Sequence, residues 1–308
     1  MDFKNKILVA GASGLVGSAL VRNLKAKGYN QILTPTHKEL DLLDQTDVLK
    51  YLSSEKPDFT FIAAGKVGGI NANNKYRADF LYENLQIQSN LIHGCFKNNL
   101  KKLICFGSSC IYPENADQPL KEESLLTGPL QYTNEPYAIA KIAGVKLCES
   151  YNLQYGCNYL SVMPTNTYGP NDNYDLENCH VMPALIKKIH DAKVNNNSTI
   201  EVWGTGKVRR EFIHSYDLAD ASTFLMEKDY RGNIINIGVG KDLSIRELVF
   251  LIKDIVDYQG DFIFNDSMPD GTFQKKLDTS KLNDLGWFEQ TKLRDGIKMT
   301  YENTFINK

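Results

Sequence analysis

Short continuous apolar runs alternate along the chain with longer stretches in which apolar residues recur every three or four positions. Ile7-Leu8-Val9-Ala10, Phe59-Thr60-Phe61-Ile62-Ala63-Ala64, Leu103-Ile104-Cys105-Phe106 and Tyr159-Leu160-Ser161-Val162-Met163 have no polar side. Strands of this kind are covered on both faces, as in a parallel sheet. Helical spacing follows the first of them to about Lys27. It returns from about Lys75 to Asn98, with Phe80, Leu81, Leu85, Ile87 and Leu91, and again from Asn134 to about Tyr155. A second strand is expected near Gln31–Thr34 and a further one at Ile234–Gly238, and Lys66–Asn71 reads as a flexible loop. Strands alternating with helices predict an α/β fold, a doubly wound parallel sheet.

Beyond residue 170 the alternation fails. A helix starts at Cys179-His180-Val181, a turn falls at Asn195–Ser198, and short strands follow at Thr199–Trp203 and Arg210–His214. Further on come a helix near Ile245–Val256, a loop at Pro269–Thr272 and a last helix from about Lys292. No repeat or low-complexity linker separates this part, so a smaller C-terminal α/β unit is expected to interleave with the first. The expected division is 1–164 plus about 211–240 for the sheet domain, and 165–210 plus 241–308 for the other.

Composition narrows the class. The 308 residues can bury a large core, and a net charge of −2 argues against nucleic acid or an anionic membrane as the main partner. No run approaches the ~20 apolar residues of a membrane span, and Met1–Lys6 lacks the pattern of a signal peptide. Cys95, Cys105, Cys110, Cys148, Cys157 and Cys179 form no C-x-x-C pair, so no metal site is expected. Scattered reduced thiols fit a cytoplasmic protein.

Candidate chemistry begins at Gly11-Ala12-Ser13-Gly14-Leu15-Val16-Gly17, which lies between the first strand and its helix. Gly11 suits a tight turn, Gly14 a close approach to a pyrophosphate, and Gly17 close packing of helix on strand. The phosphates would lie at the helix N-terminus, where free N–H groups and the dipole favour anions. The second strand ends at Pro35-Thr36-His37-Lys38 without the acid that takes a ribose 2′-hydroxyl. Ser13, His37 and Lys38 suit a 2′-phosphate, hence NADP(H), and Asp41 is placed to reach an adenine.

Ser108-Ser109-Cys110 follows the fourth strand, and in extended chain Ser108 and Cys110 would face one side. Asn134–Lys141 opens a helix with Pro136 in its first turn, and Tyr137 and Lys141 share a face at i, i+4. An ammonium beside a phenol favours the phenolate, which makes a proton donor and acceptor for an oxygen. Alone, the pair fits any amphipathic helix.

Taken together, the glycine loop, Ser108, Tyr137 and Lys141 resemble the extended branch of the short-chain dehydrogenase/reductase superfamily. Gly107–Pro113, Asn134–Lys141, Met163–Asn166, Cys179–Val181 and Arg210–Phe212 further resemble the GDP-L-fucose synthase family over essentially the whole chain. That family carries out 3,5-epimerisation and 4-reduction of GDP-4-keto-6-deoxy-mannose with NADPH. The resemblance implies that Tyr137 protonates the C4 oxygen, with Lys141 and Ser108 assisting. It implies that Cys110 and His180 form the acid/base pair of epimerisation. It assigns Gly11, Ser13, Gly14, Leu15, Val16, Gly17, His37, Lys38, Asp41, Leu42, Ala63, Ala64, Tyr137, Lys141, Pro164 and Asn166 to the cofactor. Asn166, Val181, Leu185, Lys188, Val202, Trp203, Arg210 and Lys275 fall to the nucleotide sugar, with Trp203 stacking on guanine and Arg210 and Lys275 on the diphosphate. A homodimer through the helices at about 75–98 and 134–155 is also implied.

The chain departs from the family pattern at Ala12-Ser13 and Pro35, where basic residues are usual, and near Lys228–Gly232, where it is short. At Phe273 and Gln274 the family has proline and arginine. Two other readings remain open: a C4 reductase for a related GDP-4-keto-6-deoxy sugar, such as a heptose, and an NADP-binding regulator without turnover.

Overall fold

The computed structural model describes residues 2–268 and 271–307. Pro269 and Asp270 of the expected loop lie outside the described residues. The first half runs β1 (Ile7–Ala10), α1 (Leu15–Ala26), β2 (Ile32–Leu33), α2 (Gln45–Glu55), β3 (Phe59–Ile62), α3 (Ile70–Lys75), α4 (Arg77–Lys97), β4 (Lys102–Phe106), α5 (Glu135–Tyr155) and β5 (Asn158–Pro164). The second half runs β6 (Asn166–Tyr168), α6 (Val181–Val194), β7 (Thr199–Trp203), β8 (Arg209–His214), α7 (Ser215–Glu227), β9 (Ile234–Ile237), β10 (Asp242–Ser244), α8 (Ile245–Val256), β11 (Asp261–Asn265), β12 (Gln274–Lys275), α9 (Ser280–Asp284) and α10 (Leu293–Tyr301).

Six strands form one parallel sheet in the order β2-β1-β3-β4-β5-β9. The apolar runs are buried throughout, as their lack of a polar side requires. Alternate residues of these strands enter two cores. One packs Ile7, Val9, Phe61 and Val162 against α1 and α7, and the other packs Leu8, Ile62 and Leu103 against α2, α4 and α5. This is the expected doubly wound arrangement, with strand order reversing beside β1.

β8 pairs with β6, β10 and β12 rather than with the large sheet, so the chain returns to the first layer system at Ser215. A third core of Met182, Leu185, Ile186, Leu248, Ile252 and Ile297 joins α6, α8 and α10. Glu211 ties the two parts together. Fully buried on β8, its carboxylate accepts from Val239 N and Gly240 N just after β9, and from Leu277 N just after β12. Burial raises its pKa, and the three N–H donors offset part of that rise.

The helix expected from about Lys75 to Asn98 is α4, which starts at Arg77 because the backbone breaks at Tyr76 (φ −111°, ψ 43°) after α3. Ile70 and Asn71, read as loop, start α3. α7, for which there was no expectation, packs on α1 and buries Leu218, Ala219, Ala221, Leu225 and Met226, with the Ser222 and Thr223 hydroxyls bonded to carbonyls one turn back. Among the described residues, no helix is long and apolar enough to cross a membrane, and no group of His, Cys, Asp and Glu is arranged to hold a metal ion.

Candidate active site

Gly11 has φ +85°, and a Cβ there would lie 2.7 Å from Ala64 Cα, so β1 turns tightly against the exit of β3. At Gly17 a Cβ would overlap the Gly11 carbonyl, which is why α1 lies flat on the loop. Gly14 is the N-cap, with no side-chain cap and no acid in the first turn of α1. The loop thus leaves the uncapped N-terminus of α1 free of side chains, the arrangement that suits an anion. Ala63 and Ala64 border it from β3, and Ser13, His37 and Lys38 are exposed nearby in sequence order. Asp41 is committed locally: its Oδ1 accepts from Leu43 N, and its own N–H donates to Asp47. Leu42 is buried, with its carbonyl held by Asn90.

At the end of β4, Ser108 is extended (φ −163°, ψ 149°), but Ser109–Ile111 form one turn of 3-10 helix. Ser108 and Cys110 are therefore neighbours because the Ser108 hydroxyl accepts from Cys110 N at 3.2 Å, and not through strand alternation. Cys110 packs against Ala72, Phe80 and Tyr137. Tyr137, one turn into α5, meets Phe80 edge-on with ring centroids 6.2 Å apart. Arg77 fastens the start of α5: Nη1 donates to the Tyr132 carbonyl at 2.9 Å, and the guanidinium lies 4.4 Å from the Tyr132 ring centre.

Burial pushes the Tyr137 phenol above its ordinary value. The neighbouring Cys110 sulfur adds to the rise, and a hydrogen bond with Ser108 offsets part of it. Lys141 is 4% exposed; its ammonium donates to the Phe106 carbonyl at 2.9 Å and stands 5.7 Å from the Tyr137 ring centre. Burial lowers the lysine's own pKa. The depressed phenol expected from the i, i+4 spacing is thus not found in the protein alone, because burial disfavours the phenolate.

His180 is the N-cap of α6 and caps nothing with its side chain. It is open to solvent, yet protein surrounds it closely enough that burial lowers its pKa, as for a group inside a cleft. The β3–α3 loop carries the connection to Tyr137. Gly69 N donates to the Asn178 carbonyl at 2.8 Å, and a Cβ on Gly68 would lie 3.2 Å from Phe80 and 3.3 Å from Asn178. The glycines let this loop wedge between the two walls.

On the second wall, Trp203 is 47% exposed with Lys188 Nζ 5.4 Å from its ring centre, and Val181 is half-buried. Leu185 and Val202 lie in the third core. Asn166 donates its amide to the Glu211 carbonyl at 2.8 Å. Lys275 pairs in register with Arg210 across β12 and β8, and its Nζ stands 4.0 Å from Cys110 Sγ. Gln274, one of the departures, donates to Asp242 at 2.6 Å beside the Arg209–Asp242 ion pair. That position is a structural knot rather than a ligand contact.

Asn84 escaped the sequence reading. It is fully buried on α4, and its amide donates to the carbonyls of Lys66 and Phe80, fixing the β3 exit loop. Its Oδ1 is unpartnered and would lie 2.7 Å from a Cβ on Gly65. A polar residue on the apolar face of a helix was the available signal.

Residues 7–238 match the NAD dependent epimerase/dehydratase family. The chain is 51% identical over 301 residues to GDP-L-fucose synthase 1 of Arabidopsis thaliana, covering 98% of this chain and 93% of that one. It is 48% identical to GDP-L-fucose synthase of Escherichia coli (strain K12), covering 97% and 96%. Among solved structures, a GDP-mannoheptose C4 reductase from Campylobacter jejuni with NADP bound superposes with a TM-score of 0.90 at 46% identity, covering 98% of each chain. The glycine cradle, the Ser108–Tyr137–Lys141 group and these likenesses agree: the chain belongs to the NAD dependent epimerase/dehydratase family, in its GDP-L-fucose synthase branch.

Proposed function

We propose that the protein is an NADPH-dependent nucleotide-sugar epimerase/reductase that takes GDP-4-keto-6-deoxy-mannose, or a close relative, through 3,5-epimerisation and 4-keto reduction. The grouping of the Ser108 hydroxyl, the Tyr137 phenol and the Cys110 thiol in one buried corner carries this reading. NADPH, held by the glycine cradle, Ala63, Ala64 and Lys141, supplies a hydride when bound. Tyr137 gives its proton to the C4 oxygen, and Ser108 donates to the same atom. A 4-keto group also acidifies the protons on C3 and C5. Cys110 and His180 remove and return them while the same hydroxyls hold the enolate oxygen. Lys188, Arg210 and Trp203 receive the GDP portion.

The second reading is a C4 reductase for a related GDP-4-keto sugar, such as a heptose. The likeness to the GDP-mannoheptose C4 reductase favours it. A panel of GDP-4-keto sugars with NADPH in D2O separates the two. Deuterium at C3 and C5 of the product is expected; reduction without it would leave the second reading, and no reduction of any of them would exclude both.

We further propose a cytoplasmic homodimer through α4 and α5, which pack side by side and expose Tyr82 (63%) and Leu153 (79%). Light scattering is expected to give twice the chain mass; a single-chain mass would exclude it.

A further inference from the structure

Lys275 was assigned by resemblance to the diphosphate, yet its ammonium lies against a sulfur. Its backbone is pinned around that contact. β12 pairs with β8, Lys276 N donates to Gln118 Oε1 at 3.0 Å, Leu120 N donates to the Lys276 carbonyl at 2.7 Å, and Leu277 N donates to Glu211. Gln274 points into the Asp242 knot, and Lys275, the next residue of the strand, presents its side chain to the other face. Cys110 also packs against the cluster of Ala72, Phe80 and Tyr137, and the Ser108 hydroxyl accepts from Cys110 N. Lys141, deeper in the corner, points its ammonium at the Phe106 carbonyl.

We propose that Lys275 is the positioning and counter-charge residue for Cys110: its ammonium pairs with the sulfur as a thiolate and so makes Cys110 the base of epimerisation. This rests on the epimerase reading above. The thiolate takes the proton from the carbon beside the ketone, and the C–H electron pair moves into an enolate whose oxygen Ser108 and Tyr137 hold. The sulfur ends as a neutral thiol. The proton returned to the opposite face comes from His180, which is charged against its own burial by the anionic enolate and diphosphate of the bound substrate, and which ends neutral. Arg210 and Lys188 remain for the diphosphate.

The test needs no sugar for its first arm. Only thiolate reacts readily with iodoacetamide. In Lys275→Met at pH 7.5, alkylation of the Cys110 peptide, followed by mass spectrometry, is expected to slow roughly tenfold. Lys275→Arg should stay near wild type. Cys179, the other cysteine that is not fully buried, serves as the internal control for intact folding and should be unchanged. Cys110 alkylated at the wild-type rate in Lys275→Met overturns the proposal.

The second arm measures deuterium entry at C3 and C5 under saturating GDP-4-keto sugar. Loss of exchange at saturation in Lys275→Met supports the pairing, whereas a raised KM with undiminished exchange assigns Lys275 to the diphosphate alone. If wild type itself shows no exchange, the epimerase reading fails, and the alkylation rates still decide whether Lys275 and Cys110 pair.

Discussion

Replacing Tyr137 with phenylalanine is expected to lower kcat for 4-keto reduction by about 10³-fold, within the ~10²–10⁴ range attributed to a positioned general acid. The ring would still meet Phe80, so α5 should keep its place and NADPH binding should change little. What is lost is the proton for the C4 oxygen. An ordinary phenol is protonated in the neutral range and burial raises its pKa further, so in the absence of ligand it stands as a donor. Stopped-flow oxidation of NADPH with the GDP-4-keto sugar is the measurement. A Tyr137→Phe enzyme turning over at more than about a tenth of the wild-type rate would remove Tyr137 from the chemistry.

Glu211→Ala is expected to be the most destabilising single change near the site. It leaves three backbone donors, Val239 N, Gly240 N and Leu277 N, buried without their acceptor. At roughly 1–3 kcal/mol for each orphaned group, the loss is on the order of 3–9 kcal/mol before any cavity is counted. Folded domains hold only about 5–15 kcal/mol in all. Urea unfolding should show a large drop in midpoint, and Lys275 should lose its place because Leu277 anchors the end of its strand. A midpoint within error of wild type would show that water satisfies these groups instead.

How much of this was legible beforehand follows from what each element buries. β1, β3, β4 and β5 are covered on both faces, so their apolar runs announced them; β7 and β11 form a separate two-stranded sheet, in which β7 alternates exposed and buried residues and β11 has no fully buried residue. α8 showed itself through a wide apolar stripe, whereas α7 breaks up its buried Leu218, Leu225 and Met226 with small and hydroxylated side chains. In the site, Ser108, Tyr137 and Lys141 could be named because their spacing is local. The Cys110–Lys275 contact could not, since 165 residues separate the two and the strand carrying Lys275 is only two residues long. The upward shift of Tyr137 in the protein alone was hidden for a related reason: sequence spacing reveals the nearby cation but not the burial of the phenol.

The large sheet closes late. β5 is complete at Pro164, but its outer neighbour β9 begins only at Ile234, after β6, α6, β7, β8 and α7 have been made. At ~5–20 residues per second, a growing chain waits roughly 4–14 seconds between the two strands. For that interval the β5 edge has unpaired N–H and C=O groups, the template on which strands from other chains add. Ribosome-bound intermediates arrested between these points should therefore be the species most in need of a chaperone, and slowing synthesis through residues 165–233 would lengthen that window.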